Sequence, residues 1–376
     1  MEVSGKLRQL AYEKGPEAKL PTVRQLCDTF GTSVATLDNA LEELEQQRII
    51  YRIQGSGIYV SPRVHYRHIA IVLEVGFFQN VVASPYWGML WGLFITRSQE
   101  RSATRHEEFS FHLVSSWDIN QPDLPAPLVE MVESGRTAGV IGIGITEPTA
   151  KWLRDHATYV SYAGPAGYEI FGDGNTGIRL GVEALAGQGC RNIGLWTPVE
   201  TNRLHSPDLS EKDQEFQIAL EKAGLPYNPE FSRDNAEIIC RANTITRQNL
   251  QEQGYTAAME IFGGSDRSRH PDGLIIGDDM MTSGALAAFQ ALGIRPGADV
   301  QIVSQANRDS PILFGYENVL TRLMYEPAEC VERLFDILGQ LMDGSANVPP
   351  ITYLRPIVVP PGNMPSPVTH PFIEDR

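Results

Sequence analysis

Four cysteines in 376 residues, Cys27, Cys190, Cys240 and Cys330, are too far apart for a metal knuckle and too few for a disulfide framework. Reduced thiols are the expectation. No run approaches the roughly 18 apolar residues that a membrane helix requires. The opening MEVSGKLRQL has no apolar stretch of the kind a secretory leader carries, so a cytoplasmic protein without a membrane partner is expected. The eight histidines form no H-E-x-x-H pair, and neither a G-x-S-x-G elbow nor a Walker loop occurs. The run GDGNTG from Gly172 to Gly177 looks like a phosphate loop but lacks the Gly-Lys-Ser/Thr that would have to follow. Asp278 and Asp279 are paired carboxylates in sequence, yet neighbours at a strand end diverge instead of converging on a substrate. An enzyme, a metal and a cofactor are therefore not expected. Positive charge is scarce as well. A formal charge of −15 argues against a nucleic-acid binder if it is spread over the whole chain.

With 42% hydrophobic and 20% charged residues, the chain is an ordinary globular one, long enough for two or three domains. Leu20 to Val60 is the most informative stretch. A short helix over Gly5–Glu13 precedes it, with Leu7, Leu10 and Ala11 on one side. Thr22 can cap a helix opened by Pro21 and closed by Gly31, with Leu26 and Phe30 inward. Ser33 can cap a second helix, Val34–Gln46, on which Leu37, Leu41 and Leu44 recur at helical spacing. Ile49–Ile53 and Ile58–Val60 then read as two strands turning through Gln54-Gly55-Ser56-Gly57. Two helices at a fixed angle beside a glycine-tipped hairpin are the shape of a winged helix-turn-helix, which enters a major groove and touches the backbone beside it. The local charge is nearly neutral: seven lysines and arginines stand against eight acids from Met1 to Pro62, a balance of −1. Three of those acids, Glu42, Glu43 and Glu45, fall late in the second helix, where they could face solvent.

From His68 the pattern changes to short β-rich runs separated by helix-length amphipathic segments. Ile69–Leu73, Phe111–Ser115, Gly139–Ile143, Tyr159–Tyr162, Asn192–Trp196, Gly273–Ile276 and Val300–Ser304 read as strands. Pro85–Gln99, Thr176–Gln188, Glu211–Ala223 and Met280–Leu292 read as helices. Strand–helix alternation implies parallel, Rossmann-like sheets with ligands at the carboxyl ends of the strands. The expected division is a head over residues 1–62, a linker over 63–67, a bilobed α/β domain over 68–359 that binds an effector and dimerises, and a Pro-rich tail over 360–376 lying as a loose strap.

These motifs match families. LPT-x-R-Q-L, F-G-T-S, A-T-L, A-L-E-E-L and R-x-Q-G-S-G in Leu20–Val60 resemble the winged helix of the gluconate-repressor (GntR) family. ASPYWGMLWGL, DGNTGIRLGVEALAGQGCRNIGL, FQIALEKAGLP, GYTAAMEIF and GLIIGDDMMTSGALAAFQALGIRPGADVQIVS resemble the effector domain of the lactose/galactose-repressor family, which is akin to periplasmic sugar-binding proteins. The combination is that of arabinose-repressor-like regulators.

The resemblance implies roles for particular residues. Thr22 and Arg24 open the second helix, where an arginine reaches phosphate or base. Ser33, Val34 and Thr36 open the recognition helix. Arg52, Gln54, Gly55, Ser56 and Gly57 form the wing, whose glycines let the backbone approach the duplex. The family usually carries arginine where this chain has Val34 and Asp38; Val34 would touch a thymine methyl in place of the guanine contact that arginine makes. On the effector side, Tyr86 and Trp87 align with aromatics that stack on a sugar face. Lys212 stands where the family has an arginine, Asp279 matches the aspartate that accepts from sugar hydroxyls, and Asn307 and Tyr325 align with polar positions at the closing strands. The implied protein is a homodimeric repressor of a double-stranded DNA operator, controlled by a small carbohydrate effector held between two lobes. The other reading is a sugar-binding module whose head has lost DNA.

Overall fold

The computed structural model describes residues 3–75, 84–114, 122, 124–198, 209–234, 249–264, 266 and 269–362. Ser115, Cys240 and most of the tail segment fall outside these. The chain divides into two compact units: Met1–Gly76 with Phe94–Glu169 and Leu334–Pro350, and Phe77–Leu93 with Ile170–Arg333 and Ile351–Arg376.

The first unit begins with three helices, α1 (Val3–Lys14), α2 (Val23–Phe30) and α3 (Val34–Gln46), and a hairpin of β1 (Ile50–Ile53) and β2 (Gly57–Val60). Leu37, Ala40, Leu41 and Leu44 lie three and four residues apart, so one stripe of α3 is buried. That stripe meets Leu7 and Ala11 of α1, Leu26 of α2, and Ile50, Val60 and Val64 in one core. Each fully buried leucine contributes about 2 kcal/mol of burial free energy, enough to fix the angles of so small a cluster. α3 closes with Arg48 in the left-handed region (φ 57°) and the Ile49 N–H on the Leu44 carbonyl at 2.9 Å. The hairpin gains a third edge from Glu17–Leu20: the Leu20 N–H donates to the Ile58 carbonyl at 2.9 Å and the Val60 N–H to the Ala18 carbonyl at 2.8 Å.

Beyond the head, β3 (Arg67–Glu74), β4 (Glu107–Val114), β5 (Gly139–Ile143) and β6 (Tyr159–Tyr162) pair in parallel in the order β6-β5-β3-β4. α4 (Pro85–Thr104), α5 (Ala126–Glu133) and α6 (Glu147–His156) alternate with them. β4 starts four residues before the expected strand because its first half, Glu107–Ser110, has Phe109 as its one apolar residue and shows no continuous apolar run. Glu107 is anchored by Arg101 of α4 through two hydrogen bonds of 2.6 and 2.7 Å, both side chains buried, with the guanidinium 4.7 Å from the Phe335 ring.

In the second unit, β7 (Glu169–Gly172) leads to α7 (Gly174–Gly187), β8 (Ile193–Thr197), α8 (Leu209–Lys222) and the short β9 (Arg233–Asp234). α9 (Leu250–Phe262), β10 (Gly273–Ile276), α10 (Asp279–Leu292), β11 (Gln301–Asn307) and β12 (Thr321–Tyr325) follow, then α11 (Pro327–Met342), whose residues from Leu334 on belong to the first unit, and β13 (Ile351–Leu354) and β14 (Ile357–Val359). The sheet order is β14-β12-β11-β10-β8-β9, parallel except for β14 against β12. β10, pairing on both edges and buried along its whole length, explains why Gly273–Ile276 is purely apolar. α9 and α10 cross with their backbones touching. A Cβ on Gly254 would overlap the Met281 carbonyl oxygen, and one on Gly284 would overlap that of Gln251.

Candidate nucleic-acid interface and effector site

Thr22 caps α2 in a reciprocal box: its hydroxyl accepts the Gln25 N–H at 3.4 Å, and the Gln25 side-chain oxygen accepts the Thr22 N–H at 2.9 Å. Ser33 caps α3, accepting the Thr36 N–H at 3.2 Å, and the two hydroxyls are 2.9 Å apart. With the leucine stripe inward, Ser33, Val34, Ala35, Thr36, Asp38 and Asn39 all face outward, Val34 being 55% exposed. Arg24 is exposed as well, and no ion pair among the described residues involves it. α3 thus presents its N-terminal half as an uncovered face, which is the part of such a helix that reaches base edges.

The acids late in α3 are not idle. Glu43 accepts the Ser4 hydroxyl at 2.5 Å, lies 3.6 Å from Arg8, and takes the Gln47 amide at 3.1 Å. Glu45 lies 3.2 Å from Arg52 Nε and accepts the Arg52 backbone N–H at 3.3 Å. Both fasten α3 to its neighbours, which the expectation of a solvated acidic run missed. At the wing tip Gly55 (φ 77°) and Gly57 (φ 136°) occupy conformations that other residues rarely adopt. The Ser56 N–H donates to the Ile53 carbonyl at 2.9 Å, while the Ser56 and Tyr59 hydroxyls meet at 2.6 Å. Tyr59 also stacks on Tyr51 at 5.7 Å. Gln54, Gly55 and Ser56 remain exposed.

In the second unit, parallel pairing brings Asp279, Asn307 and Tyr325 to one edge of the sheet. Ile276 of β10 pairs with Ser304 of β11, and Asn307 pairs with Tyr325 of β12, so β11 and β12 end level and β10 ends three residues earlier at the same end of the sheet. Asp278 is the N-cap of α10, accepting the Met281 N–H at 2.9 Å. Asp279 is therefore not needed as the cap. It is 2% exposed, and its Oδ2 accepts the Ser310 hydroxyl at 2.7 Å. Its Oδ1 is buried without a hydrogen-bond partner. Burial pushes its carboxyl above the ordinary range, and the hydrogen bond from Ser310 pulls back against that rise. With Oδ2 holding the Ser310 hydroxyl, Oδ1 is the carboxylate oxygen left to accept a further donor. Ser310 is the site residue that the sequence reading lacked; nothing local distinguishes it from any loop serine. Beside it, buried Thr282 and Ser304 join hydroxyls at 2.7 Å, and Arg308 pairs with Glu326.

Tyr325 is 9% exposed and its hydroxyl donates to the Asp173 carbonyl at 3.2 Å. Burial raises its pKa. Asp173 itself caps α7 by accepting the Thr176 N–H at 2.9 Å. Tyr86 and Trp87 sit in the first turn of α4, half-buried, with rings 5.2 Å apart edge to face. Tyr86 hydrogen-bonds the buried Cys330 thiol, which burial drives to a raised pKa. Lys212 is half-buried on α8, which packs on α7 through Arg179 and Glu215 at 3.1 Å. Among the described residues no His, Cys, Asp or Glu group could hold a metal, and no helix is long and apolar enough to cross a membrane.

Residues 3–60 match the family described as bacterial regulatory proteins, gntR family. Residues 182–360 match the periplasmic binding protein-like domain. No curated protein matches the chain. Among solved structures it is similar to transcription regulator CcpA of Lactococcus lactis, at 15% identity over 78% of this chain and 98% of that one, with TM-score 0.57. A LacI-family regulatory protein from Chloroflexus aggregans has 18% identity over 77% and 96%, with TM-score 0.58. The transcriptional regulator CelR in complex with cellobiose has 17% identity over 90% and 98%, with TM-score 0.56. At these identities the likeness is one of fold.

Proposed function

We propose that this chain, a DNA-binding regulator joining a GntR-type head to a periplasmic-binding-protein-like domain, represses transcription by holding an operator as a homodimer and alters its grip when a small carbohydrate binds. The observation that carries this reading is the bare N-terminal half of α3: Val34 and its neighbours face outward on a helix whose other side is wholly buried. Arg24 and the tip Gln54–Gly57 would approach backbone phosphates, with Thr36 and Val34 towards base edges. The head would be residues 1–62, the linker 63–67, the effector and dimer domain 68–359 and the tail 360–376, in a cytoplasmic protein.

The effector would sit at the carboxyl edge of the second unit's sheet. Asp279 Oδ1 accepts one of its hydroxyls, Asn307 supplies a polar neighbour, and Tyr86, Trp87 and Lys212 add apolar faces and a charge. A change in operator affinity requires different ligand affinity in two arrangements of the protein, typically worth about 1–3 kcal/mol.

Two measurements test this. A gel shift against the DNA upstream of its own gene should weaken steeply with salt and collapse in Arg24→Ala. A thermal-shift panel of pentoses, hexoses and uronic acids should yield a stabilising sugar whose effect vanishes in Asp279→Ala while operator binding persists. The second reading, a sugar-binding protein with a spent head, is favoured by Glu45 neutralising Arg52 and by Asp38 on the exposed face of α3. It predicts the sugar response without a salt-sensitive gel shift. Turnover of the bound sugar in calorimetry would overturn both.

A further inference from the structure

The wing carries two cations in different electrostatic states. Arg52, the arginine of the R-x-Q-G-S-G motif, is engaged by Glu45 at both its guanidinium and its backbone N–H. A cation already paired within the protein adds no net charge at the duplex, and counterion release from DNA depends on uncompensated charge. Lys19 precedes the motif and belongs to no helix. The extra edge Glu17–Leu20 carries it to the hairpin, where it bridges Tyr59 of β2. Its stem lies over Gly57: a Cβ at that position would stand 2.8 Å from Lys19 Cε. Its Nζ is 5.7 Å from the Tyr59 ring, whose hydroxyl meets Ser56 at the wing tip. Lys19 is exposed, and among the described residues no carboxylate pairs with it.

We propose that Lys19, not Arg52, is the residue through which the wing neutralises a DNA backbone phosphate. The assignment rests on the DNA-binding reading above. A flexible, strongly hydrated ammonium suits a single phosphate oxygen, a contact that needs no planar fork. Gly57 is required by its φ of 136°, and the lysine stem lies over the face it leaves open. The contact is to backbone and carries no sequence information.

The test uses the full chain with two fluorescent duplexes of equal length, one from upstream of its own coding region and one unrelated. Affinity is measured as a function of salt. Lys19→Gln should make the log–log slope shallower by about 0.9 on both duplexes, so that the affinity ratio between about 50 and 200 mM salt shrinks by about 3.5-fold. Lys19→Arg should restore the slope, the melting temperature of each variant should match the parent, and Arg52→Gln should leave the slope in place. A parental slope in Lys19→Gln, a slope lost in Arg52→Gln instead, or a loss confined to one duplex would each overturn the assignment. A parent protein with no salt-sensitive binding to either duplex would overturn the DNA-binding reading, and the assignment with it.

Discussion

Asp278 and Asp279 are neighbours in the chain with opposite roles. Asp278 spends its side chain on the Met281 N–H at the head of α10, and Asp279 turns inward to 2% exposure and holds the Ser310 hydroxyl at 2.7 Å. The cap relieves Asp279 of structural duty, and the inward turn leaves its Oδ1 without a partner.

That orphaned oxygen has a stability consequence. The folded-state pKa of Asp279 is raised, chiefly by burial. As pH climbs through the unfolded value near about 3.9, the unfolded chain ionises first and stability falls, levelling only above the folded pKa. Asp279→Asn removes this penalty. It should melt higher than the parent at neutral pH, the gap closing as pH drops below about 4, while losing any thermal response to sugar. Equal melting at pH 7 would show that Asp279 carries no such burden.

Glu45 restrains Arg52, so Glu45→Gln should release a cation at the wing. The expected outcome is tighter DNA binding with a salt slope steeper by about 0.9, one additional phosphate neutralised. Fluorescence anisotropy at a series of salt concentrations reads it. Adding Arg52→Gln should cancel the gain.

Gly284 faces the Gln251 carbonyl at a distance that admits no side chain. Backbone, unlike a side-chain tip, cannot swing aside. Gly284→Ala should therefore cost about 3 kcal/mol or more in chemical denaturation, at the upper end of overpacking effects. A loss under about 1 kcal/mol would mean that the two helices part easily.

Arg48 sits at φ 57° just past α3. The left-handed conformation costs a residue with a Cβ about 1–2 kcal/mol, and glycine adopts it freely. Arg48→Gly should stabilise the protein by about 1 kcal/mol in denaturant, less whatever the charge contributes through solvent.

The head was legible from residue spacing because its signals are local: Thr22 and Ser33 as caps, the leucine stripe of α3, and the glycines of the wing tip all act within a few residues. The parallel sheets were legible as apolar runs for the same reason. What escaped depends on pairing across the chain. Lys19 reaches the wing from 38 residues before Gly57 through a strand too short and too polar to announce itself. Glu43 and Glu45 read as a solvated acidic run, since their partners Arg8 and Arg52 lie on other elements. Ser310 sits 31 residues after Asp279 in a loop, and only the fold brings them together.

The crossing of α9 and α10 bears on how a message could leave Asp279 if the proposed effector binds there. With peptide groups filling the spaces where side chains would give play, one helix cannot slip or roll on the other. Asp279 is thus mounted on a stiff two-rod block. A donor captured at Oδ1 would have to shift that block entire, transmitting displacement like a crank instead of dissipating it among loose rotamers.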